Sequence, residues 1–253
     1  MSTPENRTIF LNEMGIGPQW ERRHAAHAEE NLGVSNETAM ALPPQAATSI
    51  VTPNETASMA WPQLKTAVAA CTTCGLCGTR KNTVFGVGDE RAKWLFVGEG
   101  PGYKEDLQGE PFVGPSGKLL DNMLLAMGLK RGENAYIANI VKCRATDADG
   151  RDRAPTPEEA AACRPYLDRQ IALIQPAVII ALGKTAALSL LGRDPLTSLA
   201  ALRGKAHGYP TAEGNIPLIV TYHPAYLLRR LEEKSKAWAD LCLAMKTYAT
   251  HSG

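Results

Sequence analysis

The sequence has 253 residues, 44% hydrophobic and 21% charged, with a formal net charge of +1. That length and composition suit one large or two small domains with an ordinary core. No stretch holds 18 consecutive apolar residues, which excludes a membrane-spanning helix, and no charged-then-apolar leader opens the chain, so a cytoplasmic protein is expected.

Residues 1–60 differ from the rest. They carry three basic and seven acidic side chains, against 24 basic and 19 acidic in residues 61–253. The body is therefore mildly basic, which permits a polyanionic partner without demanding one. Residues 24–60 are rich in Ala, Ser, Thr, Asn, Pro and Glu, a composition that reads as a disordered linker. Ahead of it, residues 8–23 gather Ile9, Phe10, Leu11, Met14, Ile16 and Trp20 beside a basic end. That cluster reads either as a docking peptide or as a segment folded back on the body. The expected division is an extension, 1–60, and a catalytic-sized domain, 61–253.

From residue 61 the pattern alternates. The runs "KWLFVGEG" (93–100), "AYIANIV" (135–141), "PAVIIALG" (176–183) and "IPLIVTYHP" (216–224) are short, apolar and end in turn residues. They predict four buried parallel strands. Helical patterns fall at 116–127, 157–174, 184–191 and about 235–249. The one at 157 opens on a Thr156 cap, with Pro157 first in the helix and two early glutamates. Strands alternating with helices give an α/β fold with a sheet covered on both faces, and ligands in such folds bind beyond the carboxyl ends of the strands. Those ends carry Glu99 and Gly100, Asn139, and His223.

"ACTTCGLCGTR" (70–80) packs Cys71, Cys74 and Cys77 into seven positions. A C-x-x-C pair is half of a zinc or iron–sulfur site. Cys143, just past a strand, and Cys163, inside the next helix, complete four thiolates. Spacing alone leaves Cys77 competing with Cys74, and Cys242 reads as a core residue. The glycine loop at 97–117 is spaced G-x-G-x-G, with no helix expected directly after it, which makes it a weak dinucleotide fingerprint. In "TYHPAYLLRR" (221–230) a histidine at a strand end is followed by leucines and arginines, a composition suited to wedging into a DNA groove.

With these segments the chain resembles the iron–sulfur, family-4 uracil-DNA glycosylases. The resemblance runs from about Cys71 to the last helix. It is carried by "CTTCGLC", "VFGVGDERAKWLFVGEGPGYKEDLQGEPFVGPSGKLLD", "YIANIVKCR", "RAPTPEEAAACRPYL", "LGKTAALSLLG", "LRGKAHG" and "TYHPAYLLR", in that order. It implies a three-layer α/β/α glycosylase fold with a mostly parallel four-stranded sheet, and a [4Fe–4S] cluster held by Cys71, Cys74, Cys143 and Cys163, with Cys77 a bystander.

The resemblance also implies roles. Phe112 would stack on uracil, Asn139 would read its edge, and His223 would hold charge on uracil O2. Glu105, or else Glu99, would position water or support the site, since Gly100 stands where classical uracil glycosylases have an aspartate. Tyr226, Leu227, Leu228 and Arg229 would contact DNA, the last three as a wedge. The implied partner is uracil-containing single- or double-stranded DNA, met by a nucleoid-associated monomer. Residues 8–23 faintly resemble a clamp-loader-binding peptide. The segment between Cys143 and Cys163 is longer than the family form and lacks the reactive histidine of a related branch. A DNA-binding sensor without activity and a zinc-stabilised nucleotide binder are the competing classes.

Overall fold

A computed structural model describes residues 53–251. The expected docking peptide at 8–23 and most of the expected extension lie outside the described residues. A short helix, Pro53–Ser58, packs on the long helix Pro157–Ile174, and Arg169 Nε donates to the Met59 carbonyl at 2.6 Å. The expected boundary at residue 61 falls between this helix and the next, Trp61–Ala69.

The sheet has six strands in the order β1-β3-β2-β4-β6-β5. The four expected strands are β2 (Trp94–Gly98), β3 (Ala135–Asn139), β4 (Val178–Leu182) and β6 (Gly214–Thr221), all mutually parallel. The count of four needs correction. Antiparallel edges are added by β1 (Val87–Gly88) on β3 and by β5 (Ala206–Thr211) in a hairpin with β6.

Every residue of β2, β3 and β4 is buried, as a sheet covered on both faces requires. Alternate side chains enter opposite layers. Leu95, Val97, Tyr136, Ala138, Ile179 and Ala181 pack against Leu64, Val68, Leu167 and Ile171 of the helices on one face. Trp94, Phe96, Ile137, Val178 and Ile180 pack against Leu120, Leu124, Leu241 and Ala244 on the other. The second layer is formed by helices Pro115–Ala126 and Lys234–His251. The result is three layers, α/β/α.

The long helix begins at 157, where its chemistry predicts. Thr156 Oγ1 accepts from the Glu159 amide at 3.2 Å and Glu159 Oε2 accepts from the Thr156 amide at 2.8 Å, closing a reciprocal cap. The glycine loop departs from expectation. A six-residue helix, Tyr103–Gln108, starts directly after Gly102, so the loop does lead into a helix. It is short and begins on glycine, which hides it from an apolar-periodicity reading.

Candidate active site and cysteine centre

The carboxyl ends of the parallel strands meet at one edge, with Gly98 of β2 paired to Asn139 of β3. The residues at and beyond those ends line one cavity of about 410 Å³, which brings together Glu99, Gly100, Glu105, Phe112, Asn139 and His223. These six are the expected pocket residues, drawn from three separate segments: the glycine loop at 97–117, the end of β3, and the turn after β6.

Asn139 is 2% exposed, and its side-chain oxygen is buried with no hydrogen-bond partner among the described residues. An unsatisfied buried acceptor costs about 1–3 kcal/mol, a cost that a ligand N–H would remove. Space for this amide comes from Gly98: a β-carbon there would lie 2.4 Å from Asn139 Oδ1 and 2.7 Å from Phe112 Cζ. The Asn139 backbone carbonyl accepts from Lys142 Nζ at 2.9 Å.

Phe112 has φ +55°, in the left-handed region that non-glycine residues rarely adopt. Its ring lies 5.5 Å from the His223 ring at 29°, so two flat faces border the cavity. Gly117 permits the turn, since a β-carbon there would fall 1.7 Å from the Phe112 carbonyl oxygen.

His223 caps the short helix Pro224–Arg229. Its Nδ1 accepts from the Ala225 amide at 3.2 Å. A ring nitrogen that accepts cannot carry the proton, so the neutral ring is protonated at Nε2 and offers a donor. Burial, with a smaller push from Arg229, lowers His223 to about 4. The ring is therefore neutral near pH 7.

Three carboxylates line the cavity. Glu99 Oε2 accepts from Thr185 Oγ1 in a short contact. Glu105 Oε1 accepts from the Val113 and Gly114 amides at 3.0 and 3.2 Å, so one of its oxygens is committed to the backbone around Phe112. The third, Asp152, belongs to the long segment after Cys143 and pairs with Arg144. Asp152, Arg153 and Tyr103 were missed as lining residues. For Asp152 and Arg153 the extra length of that segment was the available signal, but length does not reveal which of its side chains face inward; Tyr103 opens the short helix that the glycine loop hides.

The expected wedge is corrected at Leu227. That side chain is 1% exposed and packs with Ala237 and Leu241 in the core, because a helix starting at Pro224 turns position 227 inward. Leu228 is 42% exposed and Arg229 is exposed. Tyr226 is half-buried and stacks on Tyr222 at 5.0 Å. Leu227→Ala should lower stability by about 2–5 kcal/mol in denaturant titration, the range for buried large-to-small changes. Leu228→Ala should leave stability within about 0.5 kcal/mol, as at other surface positions.

Cys71, Cys74, Cys77, Cys143 and Cys163 line a second cavity, with Arg80, Lys142 and Tyr166 in its wall. Cys77 therefore faces the same space as the four expected ligands, while Cys242 lies away from it on the last helix. Burial pushes the Cys163 thiol up to about 12, against the pull of Lys142. Burial also raises Cys143 and Cys74. At Cys71 the effect of burial is outweighed by hydrogen bonds with Thr73 and Tyr166, so that thiol is lowered.

Arg80 Nη1 donates to Cys143 Sγ at 3.1 Å, and the Lys142 amide donates to Cys163 Sγ at 3.3 Å. Such donors and cations stabilise thiolate. No group of three or more His, Cys, Asp or Glu among the described residues is drawn together as a single-ion site. Thiolates that accept N–H donors at sulfur are the donor set an iron–sulfur cluster takes.

The model of the uracil DNA glycosylase superfamily matches residues 85–242. The type-4 uracil-DNA glycosylase of Archaeoglobus fulgidus is 42% identical over 175 residues, 68% of this chain and 85% of that protein. The Thermotoga maritima type-4 protein is 45% identical over 162 residues, 64% of this chain and 80% of its own length. That of Sulfurisphaera tokodaii is 38% identical over 195 residues, 74% and 86% respectively. With most of its described body covered in this way and the pocket built from matched segments, the chain belongs to the uracil DNA glycosylase superfamily and sits among its type-4 members.

Proposed function

We propose that this protein removes uracil from DNA by hydrolysing the bond between C1′ of deoxyribose and N1 of the base. Free uracil and an abasic site are the products, the first step of base excision repair. The observation that carries the reading is the buried, unpartnered Asn139 Oδ1 at the cavity wall. Uracil offers an N–H at position 3 and a carbonyl at position 4, complementary to an amide that accepts with oxygen and donates with nitrogen. Cytosine presents an acceptor at position 3 and an amino group at position 4. Both would oppose the amide, so cytosine would leave Asn139 unsatisfied.

The base reaches this pocket only when flipped out of the stack. The Phe112 ring would then cover its face. His223, neutral and protonated at Nε2, would donate to uracil O2 as the glycosidic bond breaks and the base gains negative charge. Water supplies hydroxyl to C1′, and its proton neutralises the departing base. The oxocarbenium-like sugar asks little of the nucleophile, so a carboxylate that orients water suffices. Glu105 Oε1 holds two backbone amides and Glu99 Oε2 holds the Thr185 hydroxyl, so the second oxygen of either carboxylate is the one that would orient the water. Leu228 and Arg229, exposed beside the pocket, would fill the gap left in the duplex and hold phosphate. The carbonyl edge of uracil is common to single- and double-stranded DNA, and both are substrates in this reading.

Cys71, Cys74, Cys143 and Cys163 would hold a [4Fe–4S] cluster that ties three distant segments together and takes no part in bond breaking. The protein would work where DNA is, in the nucleoid.

An oligonucleotide with one uracil, incubated with the protein and then alkali, tests the function. Scission at uracil alone is expected. An intact strand, or equal scission at cytosine, would overturn it.

A further inference from the structure

Phe112 occupies a backbone conformation that few non-glycine residues keep unaided. Two groups hold its turn through different backbone atoms. Glu105 Oε1 takes the amides of Val113 and Gly114. Arg131 Nη1 donates to the Pro111 carbonyl and Nη2 to the Phe112 carbonyl, each at 3.0 Å. The guanidinium is itself fixed, because Arg131 Nε donates to Asp121 Oδ1 at 2.8 Å on the helix that follows. The Arg131 side chain is 20% exposed and is absent from the cavity wall. It thus holds the turn from outside the cavity wall, with a planar fork that matches two successive carbonyls.

We propose that Arg131 is the positioning residue that holds the Phe112 ring in place for stacking on the extruded base. The inference rests on the uracil-excision reading for its consequence, though the clamp itself does not. A misplacement of about 1 Å can cost on the order of 10²-fold in rate. Arg131→Met should therefore slow single-turnover excision by ~10–100-fold. Arg131→Lys keeps the charge and loses the fork, so it should resemble the methionine variant.

A residue acting only through Phe112 has no further effect once the ring is gone. The double variant Arg131→Met with Phe112→Ala should be no slower than Phe112→Ala alone. Multiplying effects would show that Arg131 acts elsewhere and would overturn the inference, as would a wild-type rate in Arg131→Met. Should Arg131→Met fail to fold, Asp121→Asn loosens the same fork from its anchor. It should slow excision in the same direction, again without effect when Phe112 is alanine. The NMR signals of the Phe112 ring, which lies 5.5 Å from the His223 ring, read the clamp without any catalysis. Shifted ring signals in the folded variant are expected, and unchanged ring signals refute the clamp even if uracil proves not to be the substrate.

Discussion

His223→Ala should slow single-turnover uracil excision by ~10²–10³, about 3–4 kcal/mol, the usual loss for one preorganised donor to a developing oxyanion. The ring is suited to that part because its proton is placed on Nε2 by the Ala225 amide. Its charge state is set by burial, which holds it near 4. The donor acts on an oxygen that gains charge only as the bond breaks, so DNA affinity should change much less than rate. Arg229→Ala should do the reverse, weakening binding and flattening its salt dependence.

The pH profile follows from the same shift. An unfolded histidine takes up its proton near 6.5, whereas the folded one resists until about 4. Between those values the unfolded chain binds more protons. The contribution of His223 to stability is therefore present above pH 6.5 and is lost as pH falls toward 4. Excision should not drop through pH 6.5 on account of this residue. A wild-type rate in His223→Ala would make the histidine structural and pass the charge to Asn139.

Serine at Cys71, Cys74, Cys143 or Cys163 should strip iron from the purified protein and lower its thermal midpoint, whereas serine at Cys77 or Cys242 should leave iron unchanged. The effect should be largest at Cys143 and Cys163, both buried, where an unliganded polar group adds a desolvation cost to the lost ligand. Cys77 makes the test sharp, because it faces the same cavity as the other four. It sits in a one-turn helix, Gly75–Gly78, whose N-cap is Cys74, and both thiols line that cavity. Iron loss in Cys77→Ser, or normal iron in Cys143→Ser, would overturn the ligand set.

The sheet interior was legible because β2, β3 and β4 are buried on both faces and leave unbroken apolar runs. The edges were not. In β5 only Tyr209 is buried, and the strand contains a glycine and a proline, so no alternation survives in the sequence. The pocket residues stood out because strand ends concentrate them, yet their local phase did not. Leu227 reads as a surface leucine beside Leu228 until the helix start at Pro224 fixes which of the two turns inward. Arg131 carries no motif. Its role exists only once the turn at Phe112 comes back against the loop before β3.

The strand order has a consequence for synthesis. β2 lies between β3 and β4, and Trp94 pairs with Val178, 84 residues later in the chain. At a ribosomal pace of roughly 5–20 residues per second, those residues take about 4–17 s to emerge. For that interval one edge of the apolar run Trp94–Gly98 has no strand to meet, while its other edge can pair with β3 once Ala135, 41 residues after Trp94, has emerged. The nascent chain is then most open to aggregation, through the same edge that later forms the middle of the sheet.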